Sequence, residues 1–339
     1  MADRSSLLAA KLGSLVSAQF GSAPREAVDF PGGAGLVGDG VAFLLLDADP
    51  LKAFGPALVW AARQDADEVH LLVDSQGDVL ARRAGCFRQP PSVWTVDGSA
   101  LVPAEPAPPA VAAPAPAAPD LATLLVDAGL EVVVEEGMVR GEVLGLEVAR
   151  IVHGETSTGT PIDAPLLEVG VGHADRELTA LLHAGLSPVA QLARVIDIVR
   201  VHRRSDAERH PLNQLALERW MRARLVSDPG RIGLSRLRPI APAVPRPNLR
   251  DPAVAMALGE DGDGAPVVVA CSVGIDLDLV PAAADARLSA APDARLLLVV
   301  PARDAHPVTR DLADRLAQAA EVVPLEGDWR RAQGGHLSG

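Results

Sequence analysis

The sequence predicts an α/β protein with an α+β middle part. Near each end of the chain, uninterrupted apolar runs of strand length alternate with amphipathic helical stretches. Continuous apolar strands separated by helices are typical of parallel β-α-β units that are buried on both faces of the sheet. Between these two regions, short segments alternate apolar and polar residues, which favours antiparallel pairing. We therefore expect two β-α-β-α-β units, a central antiparallel strand set and a basic helical insert.

The first unit is predicted within residues 41–96. Strands are expected at 41–46, 69–73 and 93–96, and helices at 51–62 and 78–87, because the apolar period changes from continuous to helical between them. The predicted order is therefore strand, helix, strand, helix, strand.

The last unit repeats this order. Strands are predicted at 266–272, 295–300 and 321–325, and helices at 279–288 and 309–319. Each unit also carries an Asp-x-Asp pattern just after its first strand, Asp47 and Asp49 in one case and Asp276 and Asp278 in the other. This similarity suggests either an ancient duplication or two units that look alike by chance.

The sequence between the two units has a different pattern. A helix is expected first, then three strands separated by turn residues, then three helical stretches that lead into a Pro/Arg-rich segment at 231–250. The predicted elements are helix 121–128, strands 131–134, 143–152 and 166–171, and helices 176–183, 188–203 and 211–226.

A Pro/Ala-rich segment at 99–119 keeps no hydrophobic period and is typical of an extended, semi-rigid linker. It divides the chain into an N-terminal α/β domain at 1–98 and a C-terminal α/β domain at 120–339. The basic helical insert of the second domain is predicted at 188–250.

Composition excludes several classes of protein. Hydrophobic residues make up 48% of the 339 residues and charged residues 22%, which excludes disorder over the whole length. Two cysteines cannot form a disulfide framework or a cysteine-based zinc site, so a reducing cytoplasm is the expected location. No run of eighteen apolar residues occurs, and we expect no membrane span and no membrane partner.

The common catalytic motifs are absent or misplaced. A Gly-x-Gly-x-x-Gly pattern at Gly33, Gly35 and Gly38 precedes a strand, whereas a dinucleotide site needs the glycines after a strand and before a helix. We interpret it as a flexible loop. The chain contains neither a P-loop nor a nucleophile elbow, and its eight histidines show no zinc-ligand spacing. We predict no cofactor.

One strand-to-helix junction concentrates polar chemistry. Glu168, His173 and Asp175 surround Gly170 and Gly172. Such a junction can hold an anion through helix amides or a divalent cation through carboxylates. Alternatively, Asp175 only caps the following helix while the glycines allow close packing.

The order of helix, antiparallel strands, helix and later β-α-β between residues 120 and 325 resembles the core of the restriction-endonuclease-like PD-(D/E)xK superfamily. Active members hold Mg²⁺ with an acidic residue on one strand and a Glu-x-Lys on the next. The resemblance implies that Glu147 and Glu168 occupy these positions. Both lysines of this chain, Lys11 and Lys52, lie before residue 120, so no Glu-x-Lys exists in this region. Arginine cannot replace lysine as a tunable base, which predicts a degenerate site.

Charge is distributed unevenly along the chain. The net charge is −13, but residues 194–250 contain thirteen arginines against five acidic residues. A basic stretch in an acidic protein is a cue to an acidic partner such as nucleic acid phosphate or an acidic protein. The predicted contact residues are Arg200, Arg203, Arg204, Arg209, Arg219, Arg222 and Arg224. Alternatively, these arginines pair with the chain's own acidic residues.

Three functional hypotheses follow. The first is a non-catalytic protein that binds an acidic partner through the insert. The second is a metal-dependent phosphodiesterase or nuclease-like enzyme that uses Mg²⁺ with Glu147, Glu168, His173 and Asp175. The third is a scaffold that assembles with another protein. The sequence leaves the oligomeric state open.

Overall fold

A computed structural model describes residues 4–23, 25–47, 49–172, 175–176, 187–245, 248 and 251–331. The chain divides into two compact units. The first comprises Met1–Pro109, Ile275–Leu298 and Ala305–Val322, and the second comprises Ala110–Gly274, Val299–Asp304 and Val323–Gly339. Each unit is therefore built from three separate stretches of sequence.

The described residues form these helices and strands. The helices are α1 (Arg4–Phe20), α2 (Pro50–Arg63), α3 (Gly77–Ala84), α4 (Pro119–Asp127), α5 (Pro188–His202), α6 (Leu217–Ser227), α7 (Leu279–Ala290) and α8 (Pro307–Ala313). The strands are β1 (Glu26–Val28), β2 (Gly33–Gly38), β3 (Val41–Leu46), β4 (Glu68–Val73), β5 (Ser92–Asp97), β6 (Ala100–Pro103), β7 (Glu131–Glu135), β8 (Met138–Val143), β9 (Leu146–Val152), β10 (Leu166–Val169), β11 (Arg236–Ile240), β12 (Ala255–Glu260), β13 (Pro266–Cys271), β14 (Arg295–Pro301) and β15 (Glu321–Leu325).

A six-stranded sheet in the order β1 to β6 organises the first unit. Strands β3, β4 and β5 pair in parallel, as the continuous apolar runs predict, and the α/β class is confirmed. Helix α2 begins where expected because Pro50 occupies its first turn and the Asp49 carboxylate accepts a 3.1 Å hydrogen bond from the Leu51 amide.

Four elements of the first unit were not predicted: α1, β1, β2 and β6, of which β6 lies within the segment predicted as a linker at 99–119. Helix α1 packs Leu12, Leu15 and Val16 against the sheet, in one apolar cluster with Phe43 and Leu72. Strand β2 contains the three glycines that we had interpreted as a loop, and that interpretation is wrong. A Cβ atom at Gly35 would lie 2.6 Å from the ring of Trp60. This glycine therefore allows close packing within a sheet.

The second unit contains the four-stranded antiparallel sheet β10-β9-β8-β7. The single strand predicted at 143–152 is in fact the end of β8, a tight turn and β9. Leu144 and Gly145 form this turn with φ of 47° and 75°, values that match the two-residue turn of a twisted hairpin. Helices α4 and α5 pack on the same face of this sheet, where Leu125, Leu192 and Ile196 join one apolar cluster.

Strands β11 to β15 form a five-stranded sheet in sequence order, in which β11, β12 and β13 pair antiparallel. The helix predicted at 211–226 is a 3₁₀ turn at Pro211–Asn213 followed by α6. The helix predicted at 309–319 ends at Ala313, because the backbone beyond it pairs with the chain that follows α3. The Arg88 amide donates to the Arg315 carbonyl, and the Ala317 amide donates to that of Cys86.

Residues 177–183 of the helix predicted at 176–183 lie outside the described residues. Among the helices that the structure describes, none combines the length and the apolar character that crossing a membrane requires.

Candidate functional site

The two carboxylates expected to hold a metal lie on adjacent strands, Glu147 on β9 and Glu168 on β10. Register places Glu168 opposite Arg150. Leu167 and Val169 join the apolar cluster under α4 and α5. Since successive side chains of a strand point to opposite faces, Glu168 lies on the other face of the sheet.

Arginines occupy the oxygens of both carboxylates. Glu147 is 3% exposed and accepts from Arg140 at 2.7 Å and from Arg176 at 3.1 Å. Glu168 accepts from Arg150 at 3.0 Å, and the Arg176 guanidinium lies 3.8 Å from it. Arg176 thus contacts both carboxylates, in the place where a shared cation would have to lie.

Ser157 completes the set around Glu168. Its backbone amide donates to Glu168 Oε1 at 2.5 Å and its hydroxyl donates to Oε2. Burial opposes the charge of Glu168, but the hydrogen bonds from Ser157 and Arg150 outweigh it and lower the pKa of the carboxyl. The group is therefore an ionised partner of arginine at neutral pH.

Asp175, a further member of the predicted catalytic set, does not join these two carboxylates as a metal ligand. The Asp175 carboxylate accepts a 2.7 Å hydrogen bond from the Val171 amide and closes the turn at Gly170 and Gly172, so it acts as a local cap. His173 lies outside the described residues.

We tested whether the residues fit Mg²⁺. Guanidinium groups of Arg140, Arg150 and Arg176 already occupy the oxygens of Glu147 and Glu168 that a divalent cation would need as ligands. Across the part of the chain that the structure describes, no group of three or more His, Cys, Asp or Glu residues could hold a metal ion. The residues therefore do not fit the metal that the resemblance implies.

Two of the predicted nucleic-acid contacts, Arg219 and Arg222, are buried. Arg219 donates to Glu142 and to Glu135 at 2.5 Å each, and Arg222 donates to Glu142 at 2.7 Å. Glu131 lies 3.8 Å from Arg222, and burial raises the pKa of this carboxyl to about 7. These five residues form a buried charge cluster that attaches α6 to strands β7 and β8.

Arg203 is fully buried and also has a structural role. Its guanidinium donates to the Leu144 carbonyl at 2.6 Å and to the Leu215 carbonyl, and it lies 4.9 Å from the ring of Trp220. The prediction that Arg203, Arg219 and Arg222 form a surface for nucleic acid needs correction. Their charges are matched by carboxylates and carbonyls inside the fold, so a phosphate would have to displace buried partners.

The other four arginines of the predicted set are more accessible. Arg200 and Arg209 are exposed, and Arg224 is half-buried. Arg204 is exposed and pairs with Asp206 at 2.7 Å. Binding of an acidic partner by these side chains stays a prediction.

An open channel of about 520 Å³ lies between α4 and α5. Its floor contains Leu192 and Ile196, which are almost fully buried, and its walls include Leu124 and Val189. Three aspartates, all exposed, line it as well: Asp120 and Asp127 on α4, and Asp197 on α5. We call this feature the α4/α5 groove.

Other exposed apolar side chains of α4 and α5 do not line the groove. Val126 on α4 is 60% exposed, and Ile198 and Val201 on α5 are 45% and 61% exposed. Single exposed apolar side chains are common on protein surfaces, and we assign no site to them. Sequence analysis missed the groove, although α5 carries apolar residues on more than the one face that packs on the sheet, which is a detectable signal.

A second polar cluster lies in the first unit and unites the two Asp-x-Asp segments. Asp278 pairs with Arg83 at 2.8 Å, and Asp285, which is fully buried, pairs with Arg82 at 2.7 Å. Burial raises the pKa of Asp278 to about 7, and the nearby charge of Asp49 adds to the effect. These contacts join α2, α3 and α7, so they explain the cluster as part of the packing of that unit.

Comparisons with protein-family models, with curated proteins and with solved structures found no match to this chain.

Proposed function

We propose that this chain is a non-catalytic protein-binding module and that the α4/α5 groove is its docking surface. The observation that carries the proposal is the groove itself, an open apolar channel bordered by carboxylates. The proposal develops the scaffold hypothesis. Its chemistry resembles that of known recognition grooves, in which apolar anchors supply affinity and a polar border supplies specificity.

The arginine pairing of Glu147 and Glu168 supports the absence of catalysis. Glu147 and Glu168 are the only pair that the resemblance to the PD-(D/E)xK superfamily assigns to metal binding, and Arg140, Arg150 and Arg176 neutralise both. An ion-paired carboxylate with a lowered pKa, such as Glu168, is a weak proton acceptor, so the cluster lacks a general base tuned for neutral pH. A degenerate relationship to that superfamily is part of the proposal.

Site-specific photocrosslinking tests the docking function. A photoreactive amino acid replaces Ala193, which is exposed in the groove wall, and in a matched chain it replaces Val201 on the same helix outside the groove. We expect a discrete protein adduct at position 193, reproduced with the purified captured protein and absent at position 201. The docking function is wrong if position 193 yields no adduct, or the same adducts as position 201.

Calorimetry with Mn²⁺ tests the absence of catalysis. We expect the wild-type chain and Glu168→Ala to give the same heat, because arginines already occupy the carboxylate oxygens. Metal binding that Glu168→Ala abolishes would favour the enzyme hypothesis instead.

A further inference from the structure

We infer that the occupant of the α4/α5 groove is an amphipathic helix of a partner protein, with lysine or arginine on both sides of its apolar stripe. This inference rests on the proposed docking function and adds the class of partner. Shape and charge support it independently.

The shape of the groove suits a helix. Helices α4 and α5 lie on one face of the sheet, and the accessible apolar surface of the channel between them comes from Leu124, Val189 and Ala193, above the buried Leu192 and Ile196. A third helix in this channel would place its residues i, i+3, i+4 and i+7 on that surface. Helix α5 has 15 residues and spans about 22 Å, which matches roughly four turns of a partner helix.

The charge of the groove selects a basic helix. Asp120 and Asp127 are seven residues apart on α4, which places both on one side of that helix, and Asp197 lies on the facing helix. Carboxylates therefore border the channel on both sides. The net charge of −13 adds a long-range attraction for cations.

Among the described residues that line the groove, one is a cation, and it lies at one end. Arg200 reaches the C-terminal end of α4, where a Cβ atom at Gly129 would lie 3.3 Å from its Nη2 atom. A guanidinium in this position interacts favourably with the negative end of the helix dipole. Asp127 and Asp197 lie at this same end, and the described lining as a whole holds three carboxylates against one guanidinium.

Fluorescence anisotropy with three labelled peptides tests the class of partner. The peptides have about 14 residues, to match the length of α5, and share one leucine stripe, while their polar positions hold lysine, glutamine or glutamate. We expect the lysine peptide to bind at least tenfold more tightly than the glutamate peptide at low salt, with a smaller ratio at high salt. Equal or weaker binding of the lysine peptide overturns the inference.

Substitutions in the groove locate the binding. Ala193→Arg fills the wall and should weaken the lysine peptide at least tenfold, whereas Val201→Arg adds the same charge outside the groove and should change little. Asp127→Asn and Asp197→Asn should each weaken the lysine peptide about threefold and leave the glutamine peptide unchanged. All four positions are exposed, so we expect each variant to fold, and thermal unfolding checks that it does.

The outcomes separate the two proposals. If the glutamine or glutamate peptide binds best and Ala193→Arg abolishes that binding, the groove docks a protein helix but the basic class is wrong. If none of the peptides binds while a small apolar dye binds and Ala193→Arg abolishes the binding of the dye, the groove is a small-molecule site and both proposals fail. If Ala193→Arg affects no peptide and crosslinking at position 193 is negative, the docking function itself is wrong.

Discussion

Replacing Arg219 by methionine should strongly destabilise the second unit. The Arg219 side chain is 6% exposed and donates to Glu135 and Glu142, whose side chains are 5% and 0% exposed. Methionine retains much of the aliphatic stem but removes the ion pairs of Arg219 from two buried carboxylates, which Arg222 still contacts. Breaking a buried ion pair in this way costs about 3–5 kcal/mol, which is a large share of the ~5–15 kcal/mol that stabilises a domain.

The loss should depend on pH. Without Arg219 the cluster holds three carboxyls and one arginine, so burial favours proton binding more strongly, and Glu131 already has a pKa raised to about 7 by burial. Protons bound by these carboxyls relieve the penalty at pH 5, so we expect a smaller loss at pH 5 than at pH 8. Urea unfolding measures both, and hydrogen exchange of the α6, β7 and β8 amides assigns the change to this cluster.

A matched control and a compensating variant complete the experiment. Arg204→Met removes another arginine of the basic segment, but its partner Asp206 is exposed, and we expect no resolvable change in stability. Glu142→Gln should recover part of the loss when it is combined with Arg219→Met. A loss below about 1 kcal/mol, or equal losses at both pH values, would show that the cluster is not the buried network described above.

Three further predictions concern stability and reactivity. Glu131→Gln should flatten the pH dependence of stability: the folded-state pKa of Glu131 is about 7 and the unfolded value is lower, so the stability of the wild type falls as pH rises between about 4.5 and 7. Relative to wild type, the free energy of unfolding of this variant should rise by about 3 kcal/mol between pH 4 and pH 8. Denaturation curves at several pH values measure it, and the same difference between variant and wild type at every pH would contradict the raised pKa. Asp285→Asn should lower the stability of the first unit by about 3–5 kcal/mol, because Arg82 and Arg83 lose a fully buried partner; thermal unfolding measures this, and an unchanged midpoint would refute it. Burial raises the pKa of Cys86 to about 11 and that of Cys271 to about 12, so neither thiol should react with a thiol reagent at pH 8 until urea is added, and rapid labelling of the native protein would refute the burial.

The strongest apolar runs of the sequence predicted their strands well. Residues 41–46 coincide with β3, and the prediction at 266–272 matches β13 to within one residue, because a continuous apolar run bounded by turn residues has few other ways to be buried. Strand β2 was missed because the reason for a glycine at position 35 is its close packing against the ring of Trp60, which lies on α2 and not on a neighbouring residue of the strand. The turn at Leu144 and Gly145 was missed because Leu144 gives no signal for a left-handed backbone.

The candidate site could not be predicted from local patterns alone. Arg219 and Arg222 were expected on a surface because the stretch around them is rich in arginine. Their carboxylate partners Glu135 and Glu142 lie about eighty residues earlier, so no short window of sequence shows the pairing. The groove is also a product of two distant helices. The sequence could indicate that α5 carries surplus apolar residues, but not which surface faces α4.

The same succession of elements occurs twice in the fold. Helix α1 precedes three antiparallel strands and the first β-α-β-α-β unit, and α6 precedes β11, β12 and β13 and the last one. This order, together with the Asp-x-Asp segment after β3 and β13, favours duplication over chance resemblance. The two β-α-β-α-β units nevertheless belong to separate sheets.

The threading of the first unit through both ends of the chain has a consequence for biosynthesis. Arg82 and Arg83 emerge from the ribosome early, but their partner Asp285 belongs to a stretch that is translated about two hundred residues later. At about 5–20 residues per second this interval lasts roughly 10–40 s. During that time the nascent N-terminal segment exposes two guanidinium groups that the folded unit buries, and its helical layer is incomplete. We therefore expect this segment to need protection from aggregation until Asp285 is translated.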